Sequence, residues 1–166
     1  MNEAKKVLFD VLAIKSVNHC DDEGKVAEYL RDYLMEAGIE AQVQRIDETH
    51  GNFIAFIPGE NHDKHVVWNG HIDTVPYGDL KEWNTDPAVP VEIDGKIYAR
   101  GTSDMKSGIA AMAYTLASIV KSGKKPAYDI TLIGTCDEEK NGLGASELLK
   151  AGLFPQVDEV LIGEPT

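Results

Sequence analysis

Cysteine is scarce in this chain of 166 residues: Cys20 and Cys136 stand far apart with no Cys-x-x-Cys or Cys-His spacing. Neither a disulfide framework nor a thiolate zinc site is encoded, and both residues read as reduced thiols. No apolar run approaches the length of a membrane span. Charges interrupt Met1–Asp10, where a signal peptide needs an unbroken apolar stretch. Positive charge is also short, with 16 Lys and Arg against 28 Asp and Glu, a net charge of −12. That balance argues against nucleic acid or an anionic membrane as the main partner. The expectation is a cytoplasmic protein with neither class of partner. Internal repeats and low-complexity segments are absent as well.

What is present is enough chain for one domain with a real core. Residues Asn2–Ile14 place Val7, Leu8, Val11 and Leu12 on one helical face. Val26, Tyr29, Leu30, Tyr33 and Leu34 repeat that period until Gly38. Ala41–Ile46 and Asn52–Ile57 predict an exposed-looking strand pair, the second ending at Pro58-Gly59. His65–Asn69 predicts a buried strand, and Thr74–Pro90 is irregular, punctuated by prolines and Gly78. Asp94-Gly95 between apolar residues is a hairpin signal. Lys106–Lys121 is apolar over most of its circumference, a helix packed against a sheet. Ile130–Thr135 and Glu159–Ile162 predict buried strands, with a helix around Ala145–Ala151 between them. Strands alternating with helices give an α/β fold with a largely parallel sheet.

In open α/β sheets, ligands collect beyond the carboxyl ends of the strands. His71 and Asp73 follow His65–Asn69, Glu138 and Glu139 follow Ile130–Thr135, and Glu164 follows Glu159–Ile162. Asp104, in Ala99–Gly108, stands where a loop enters the apolar helix. Each has an ordinary alternative: a solvated histidine, a turn aspartate, a helix cap, an acidic surface turn. Asp104 in particular can cap the helix or hold a cation. Recurrence at three strand ends favours the cation, because a strand end needs a polar break but not a carboxylate or imidazole each time. Histidine and carboxylates suit zinc and similar ions, and a shared aspartate can bridge two of them. In His-x-Asp, Asp73 can orient the His71 ring. Glu138 and Glu139 can divide proton handling and metal ligation.

Four ordered motifs carry a resemblance. They are Gly70-His71-Ile72-Asp73-Thr74-Val75-Pro76, Arg100–Gly108 (Arg-Gly-Thr-Ser-Asp-Met-Lys-Ser-Gly), Asp137-Glu138-Glu139 and Gly163-Glu164-Pro165-Thr166. The chain resembles the zinc-dependent amidohydrolases and peptidases that include acetylornithine deacetylase, succinyl-diaminopimelate desuccinylase, carboxypeptidase G and aminoacylase. The resemblance implies a three-layer α/β/α catalytic domain with a mostly parallel mixed sheet. It makes Asp104 the bridging ligand of two Zn2+ ions, with Co2+ or Mn2+ as substitutes. His71 and Glu164 complete one site and Glu139 binds at the other. Glu138 becomes the general base and Asp73 the residue that orients His71. The implied reaction is hydrolysis of an amide in an N-acyl amino acid or small peptide.

Members of that family continue beyond Gly-Glu-Pro-Thr through a lid and dimerisation domain, often forming homodimers. They then return to the catalytic domain with a last zinc-binding histidine. Residues 1–166 are therefore expected to be the N-terminal portion of the catalytic domain, incomplete at its C-terminus and inactive alone, the second metal lacking a ligand. Two alternatives stand beside this reading. One is a metal-binding fragment without catalysis. The other is a phosphate-binding α/β domain using Thr102–Lys106 at a helix N-terminus, weakened by the absence of GxxxxGK[ST] and by the surrounding acids. His62 and His65 are read as solvated-loop and strand-start residues rather than ligands, and Trp68 as core.

Overall fold

A computed structural model of the chain describes residues 2–165. Thr166, the last residue of the Gly-Glu-Pro-Thr motif, lies outside them. Asn2 begins α1 (Glu3–Ala13) by accepting the Lys5 amide on its side chain at 2.9 Å, satisfying one of the helix's free donors. Helix α2 (Gly24–Glu36) ends before Gly38, whose φ of +83° is the left-handed conformation that a side chain disfavours. Strands β1 (Glu40–Arg45), β2 (Gly51–Ile57) and β3 (Asn61–His71) follow. The excursion after β3 carries a small hairpin, β4 (Val91–Ile93) and β5 (Lys96–Tyr98). Its turn is Asp94-Gly95, both residues at positive φ as such turns require. Helix α3 (Lys106–Lys121), β6 (Tyr128–Thr135), α4 (Leu143–Lys150) and β7 (Glu159–Ile162) complete the order.

The main sheet runs β1-β2-β6-β3-β7. It is mixed, as expected: β1–β2 and β2–β6 are antiparallel, while β3 pairs in parallel with both β6 and β7. Alternate residues of each strand serve opposite faces. Phe53, Ala55, Ile57, Ile130 and Leu132 join Val7, Val11, Leu30, Leu34, Ile109 and Leu116 from α1, α2 and α3. Ile54, Val67 and Ile133 face the other way and meet Leu148 of α4. Helices thus lie on both faces, giving the three-layer α/β/α arrangement. Burying each large apolar side chain contributes about 1.5–3 kcal/mol, so the α1–α3 layer carries most of the apolar stabilisation.

Three sequence expectations change. Strand β2 is interior rather than exposed-looking, because it lies between β1 and β6 and carries apolar residues on both of its faces. Strand β3 begins at Asn61 instead of His65, an irregularity in its pairing with β6 between those residues absorbing the polar start. Strand β7 is not buried: it is an edge strand beyond β3, and Val160, Leu161 and Ile162 remain 49%, 50% and 58% exposed. An apolar run reports a strand, but burial depends on what packs over it.

Candidate metal centre

Because β3, β6 and β7 are parallel, their carboxyl ends share one edge of the sheet. The chain leaves β3 through His71–Thr74, β6 through Cys136–Glu139 and β7 through Gly163-Glu164. The start of α3 joins them, because the β3–α3 excursion returns to the same edge. A Cβ at Gly108, in the first turns of α3, would stand 2.3 Å from the Gly163 carbonyl oxygen. Only a glycine there lets the end of β7 come close enough to present Glu164 toward Asp104.

Asp104 does not cap α3: the capping position is Met105, and no side chain bonds to the exposed amides there. The Asp104 carboxylate instead places Oδ1 3.0 Å from His71 Nε2. Glu164 Oε1 lies 3.5 Å from the same nitrogen, and Glu138 Oε2 lies 4.0 Å from it. One donor atom each from His71, Asp104 and Glu139 falls within 4.8 Å of the others. The ring's other nitrogen, Nδ1, is 3.0 Å from the Asp73 backbone carbonyl and 3.5 Å from its carboxylate. The carbonyl is the nearer partner, so the expected carboxylate orienter acts on His71 mainly through its own main chain and charge. The Asp73 carboxylate accepts the amides of Glu138 and Glu139, each at 3.2 Å, and thereby ties the end of β3 to the turn after β6. All six residues singled out in the sequence, Glu138, Asp73, His71, Asp104, Glu139 and Glu164, thus gather at one rim.

The electrostatics of the rim favour positive charge. Burial pulls the His71 imidazole down, but Asp73, Asp104 and Glu164 outweigh it and hold the group up at about 9. Burial and then the Asp104 carboxylate push Glu139 above the usual glutamate range. Burial, resisted by His71 and reinforced by Asp104 and Glu138, does the same for Glu164. Burial pushes Asp73 up too, yet its contacts with His71 and with the two glutamate amides leave it below the usual carboxylate range. One imidazole facing clustered carboxylates is a donor set suited to zinc and similar divalent ions, so the residues present fit such a group.

A protein-family model described as Peptidase family M20/M25/M40 matches residues 67–166. The chain belongs to this family. A relative from Staphylococcus epidermidis, named probable succinyl-diaminopimelate desuccinylase, is 33% identical over 161 residues, covering 97% of this chain and 39% of that protein. The chain therefore spans about two-fifths of that relative's length. Among solved structures, the M20 family metallo-carboxypeptidase Sso-CP2 from Sulfolobus solfataricus has a TM-score of 0.84 at 22% identity, covering 98% of this chain and 37% of that one. The Bacillus subtilis YXEP protein, described as a dinuclear metal-binding peptidase of the M20 family, has a TM-score of 0.68 at 19% identity, covering 96% of this chain and 41% of that one. These likenesses establish the fold of an M20 catalytic domain.

The burial of several polar residues of this M20 domain is not signalled by the sequence. Lys106 is buried, 2% exposed, and its Nζ donates to the Val11 and Ile14 carbonyls at 3.1 and 2.7 Å, closing the C-terminal end of α1. Burial pulls its ammonium down to about 8. A lysine so committed is not free to meet phosphate at the start of α3, and Asp104 adds repulsion there, which weakens the phosphate-binding alternative. Asn18 and Glu23 are also buried at the rim. The run Asn18–Asp22 is polar and separates two helices, and nothing local in it signals burial. Trp83, which its irregular loop Tyr77–Pro87 marks as either a pocket wall or an edge cover, lines a cavity beside Asp104: its Nε1 donates to the Tyr77 carbonyl at 2.8 Å, and the Arg100 guanidinium lies 5.0 Å from its ring centre.

Proposed function

We propose that this chain carries the metal-binding and proton-transfer half of an amide-hydrolysing site acting on N-acyl amino acids or small peptides. The observation that carries the reading is the single nitrogen His71 Nε2 facing Asp104 at 3.0 Å and Glu164 at 3.5 Å, with Glu139 completing the cluster. His71, Asp104 and Glu164 would hold one divalent ion and Asp104 with Glu139 a second, zinc being the first candidate. When bound, such a pair supplies Lewis acidity toward the amide carbonyl and its attacking water.

The chain's own residues supply the rest. Asp73 fixes His71 by accepting its Nδ1–H on the main-chain carbonyl, which leaves Nε2 aimed into the carboxylate cluster. Glu138, beside the cluster and solvent-accessible, takes the proton of the attacking water and delivers it to the departing amine nitrogen. The desuccinylase name of the Staphylococcus epidermidis relative supports an acyl-amino-acid substrate. We take residues 1–166 as the N-terminal portion of the catalytic domain. Among the described residues no second histidine joins Glu139 in the set, which favours cation binding without turnover by these 166 residues alone.

The deciding experiment has two arms. Purified chain titrated with Zn2+ or Co2+ should bind, and absence of binding after reconstitution would remove the metal reading. In a protein of the relatives' length carrying these residues, Glu138→Gln should keep its metal and lose about 10²–10⁴-fold in hydrolysis, the usual contribution of a general base. Undiminished turnover in that variant would overturn the role of Glu138.

A further inference from the structure

The segment between α1 and α2 lies outside the residues matched by the family model and holds none of the cluster's donor atoms. We propose that Asn18 and Glu23, in that segment, are positioning residues that set how tightly the His71, Asp104 and Glu139 set holds a divalent cation. The inference rests on the reading of that set as a cation site. Asn18 is 3% exposed, and its Nδ2 donates to Glu23 Oε1 at 2.9 Å and to Asp73 Oδ2 at 2.7 Å. Both amide hydrogens are therefore committed to carboxylates. The opposite amide orientation would set Oδ1 against two carboxylate oxygens. In the observed one, Oδ1 is buried and, among the described residues, has no partner. A buried acceptor left unpaired is destabilising, so the two contacts on the nitrogen side are what hold the orientation.

Glu23 is wholly buried and uses its second oxygen, Oε2, to accept the Asp137 amide at 2.8 Å. Asp137 stands at φ +56°, a left-handed conformation unfavourable for a residue with a side chain, immediately before Glu138 and Glu139. The hydrogen bonds thus form a closed circuit. It runs from the Asp137 amide through Glu23, Asn18 and Asp73 to the amides of Glu138 and Glu139. Main-chain bonds seat the segment: Asn18 N–H donates to the Thr74 carbonyl at 3.0 Å and Thr74 N–H to the Ser16 carbonyl at 2.9 Å. The Ser16 hydroxyl donates to the Ile72 carbonyl at 2.8 Å. The turn that aims Glu139 is held from behind by residues that contribute no donor atom to the cluster. Partners hydrogen-bonded to a metal ligand typically alter affinity by about 10–100-fold, and Asn18 stands one hydrogen bond behind Asp73, the partner of His71.

The test uses the full 166-residue chain with Co2+ as the probe, followed by its visible absorption, together with amide hydrogen exchange in the absence of metal. Asn18→Ala should weaken Co2+ binding about tenfold or more and alter the Co2+ spectrum. It should also speed exchange at the Glu138 and Glu139 amides while leaving the β1–β2 pair unchanged. Glu23→Gln, which keeps one of the two hydrogen bonds, should give a smaller change of the same kind. Val26→Ala, in the buried face of α2, serves as the control for general loss of stability. Equal Co2+ affinity in wild type and both variants, or losses no greater than in Val26→Ala, would overturn the proposal. So would unchanged exchange at Glu138 and Glu139. If Asn18→Ala fails to fold, Glu23→Gln decides by the same criteria. Wild-type chain that binds no Co2+ would fail the cation reading itself. That outcome is distinguishable because it appears before any substitution is made, and it overturns the affinity claim with it.

Discussion

Strand β3 carries histidine toward both ends, and the two ends behave differently. At the amino end, His62 Nδ1 lies 2.8 Å from Asp129 and His65 Nε2 lies 2.7 Å from the Thr131 hydroxyl, so each ring has one polar partner, and Phe56 packs edge-on against His65. A cavity of about 560 Å3 opens there, lined also by Asp158. At the carboxyl end, His71 is buried and meets carboxylates delivered by three other segments, beside a smaller cavity of about 340 Å3. Residue type and cavity size do not separate the two ends. The number of carboxylates gathered on one ring does: the loops leaving the parallel strands, with the start of α3, bring three carboxylates within 4.0 Å of His71 Nε2, whereas each amino-end ring meets one polar partner.

The largest expected effect breaks the comparison at its centre. His71→Ala should weaken Co2+ or Zn2+ binding on the order of 100-fold or more by removing the only imidazole in the cluster, whereas His65→Ala should leave affinity unchanged. Calorimetric titration of both variants checks it, and similar losses in the two would erase the distinction between the ends. Next in size is Gly108→Ala. Its Cβ would overlap the Gly163 carbonyl, so β7 must shift, at a cost of about 1–3 kcal/mol by overpacking. Urea unfolding should show that loss, and cation affinity should fall with it as Glu164 retreats.

A pH series sharpens the contrast, because the carboxyl end buries charge that the amino end leaves near solvent. Burial raises the Glu23 carboxyl from 4.5 to about 7, against the hydrogen bonds from Asn18 and Asp137. The folded chain therefore holds this proton more tightly than the unfolded chain does. Stabilisation from Glu23 is complete below pH 4.5 and is lost as pH rises through about 7. In that window metal-free protein should lose up to about 1.4 kcal/mol per pH unit from this group, a slope that Glu23→Gln should lack. Urea midpoints between pH 5 and 8 measure it. The smallest effect is His62→Ala, an exposed pair at the amino end, expected to stay within about 0.5 kcal/mol of wild type and to bind cation normally.

Much of this was legible in the sequence. Helix α3 runs over the same residues that its apolar circumference marks, and the Asp94-Gly95 turn sits where its dipeptide places it. His71, Asp104, Glu139 and Glu164 come together because each follows a strand or begins a helix whose direction the alternation of elements fixes. Burial of whole strands was less legible. Strands β2 and β7 are both apolar runs, yet β2 lies inside the sheet and β7 at its edge, and sheet order is a property of long-range pairing. Asn18, Glu23 and Lys106 were missed for a related reason. Their side chains are polar, and their burial follows from partners 55 and 114 residues away for the first two and from the far end of α1 for the third.

The two cysteines divide along the same lines and open a practical route to the rim. Cys136, immediately before the acidic turn, is wholly enclosed, and that burial pushes its thiol up to about 12. Alkylating reagents, which consume thiolate, have little to attack there. Cys20 is exposed and lies in the loop between Asn18 and Glu23. A fluorophore attached by thiol chemistry therefore goes to one position in the native protein, on the strap that braces the turn from behind. Its emission becomes an optical gauge of that strap as cation is added, without altering any residue of the rim.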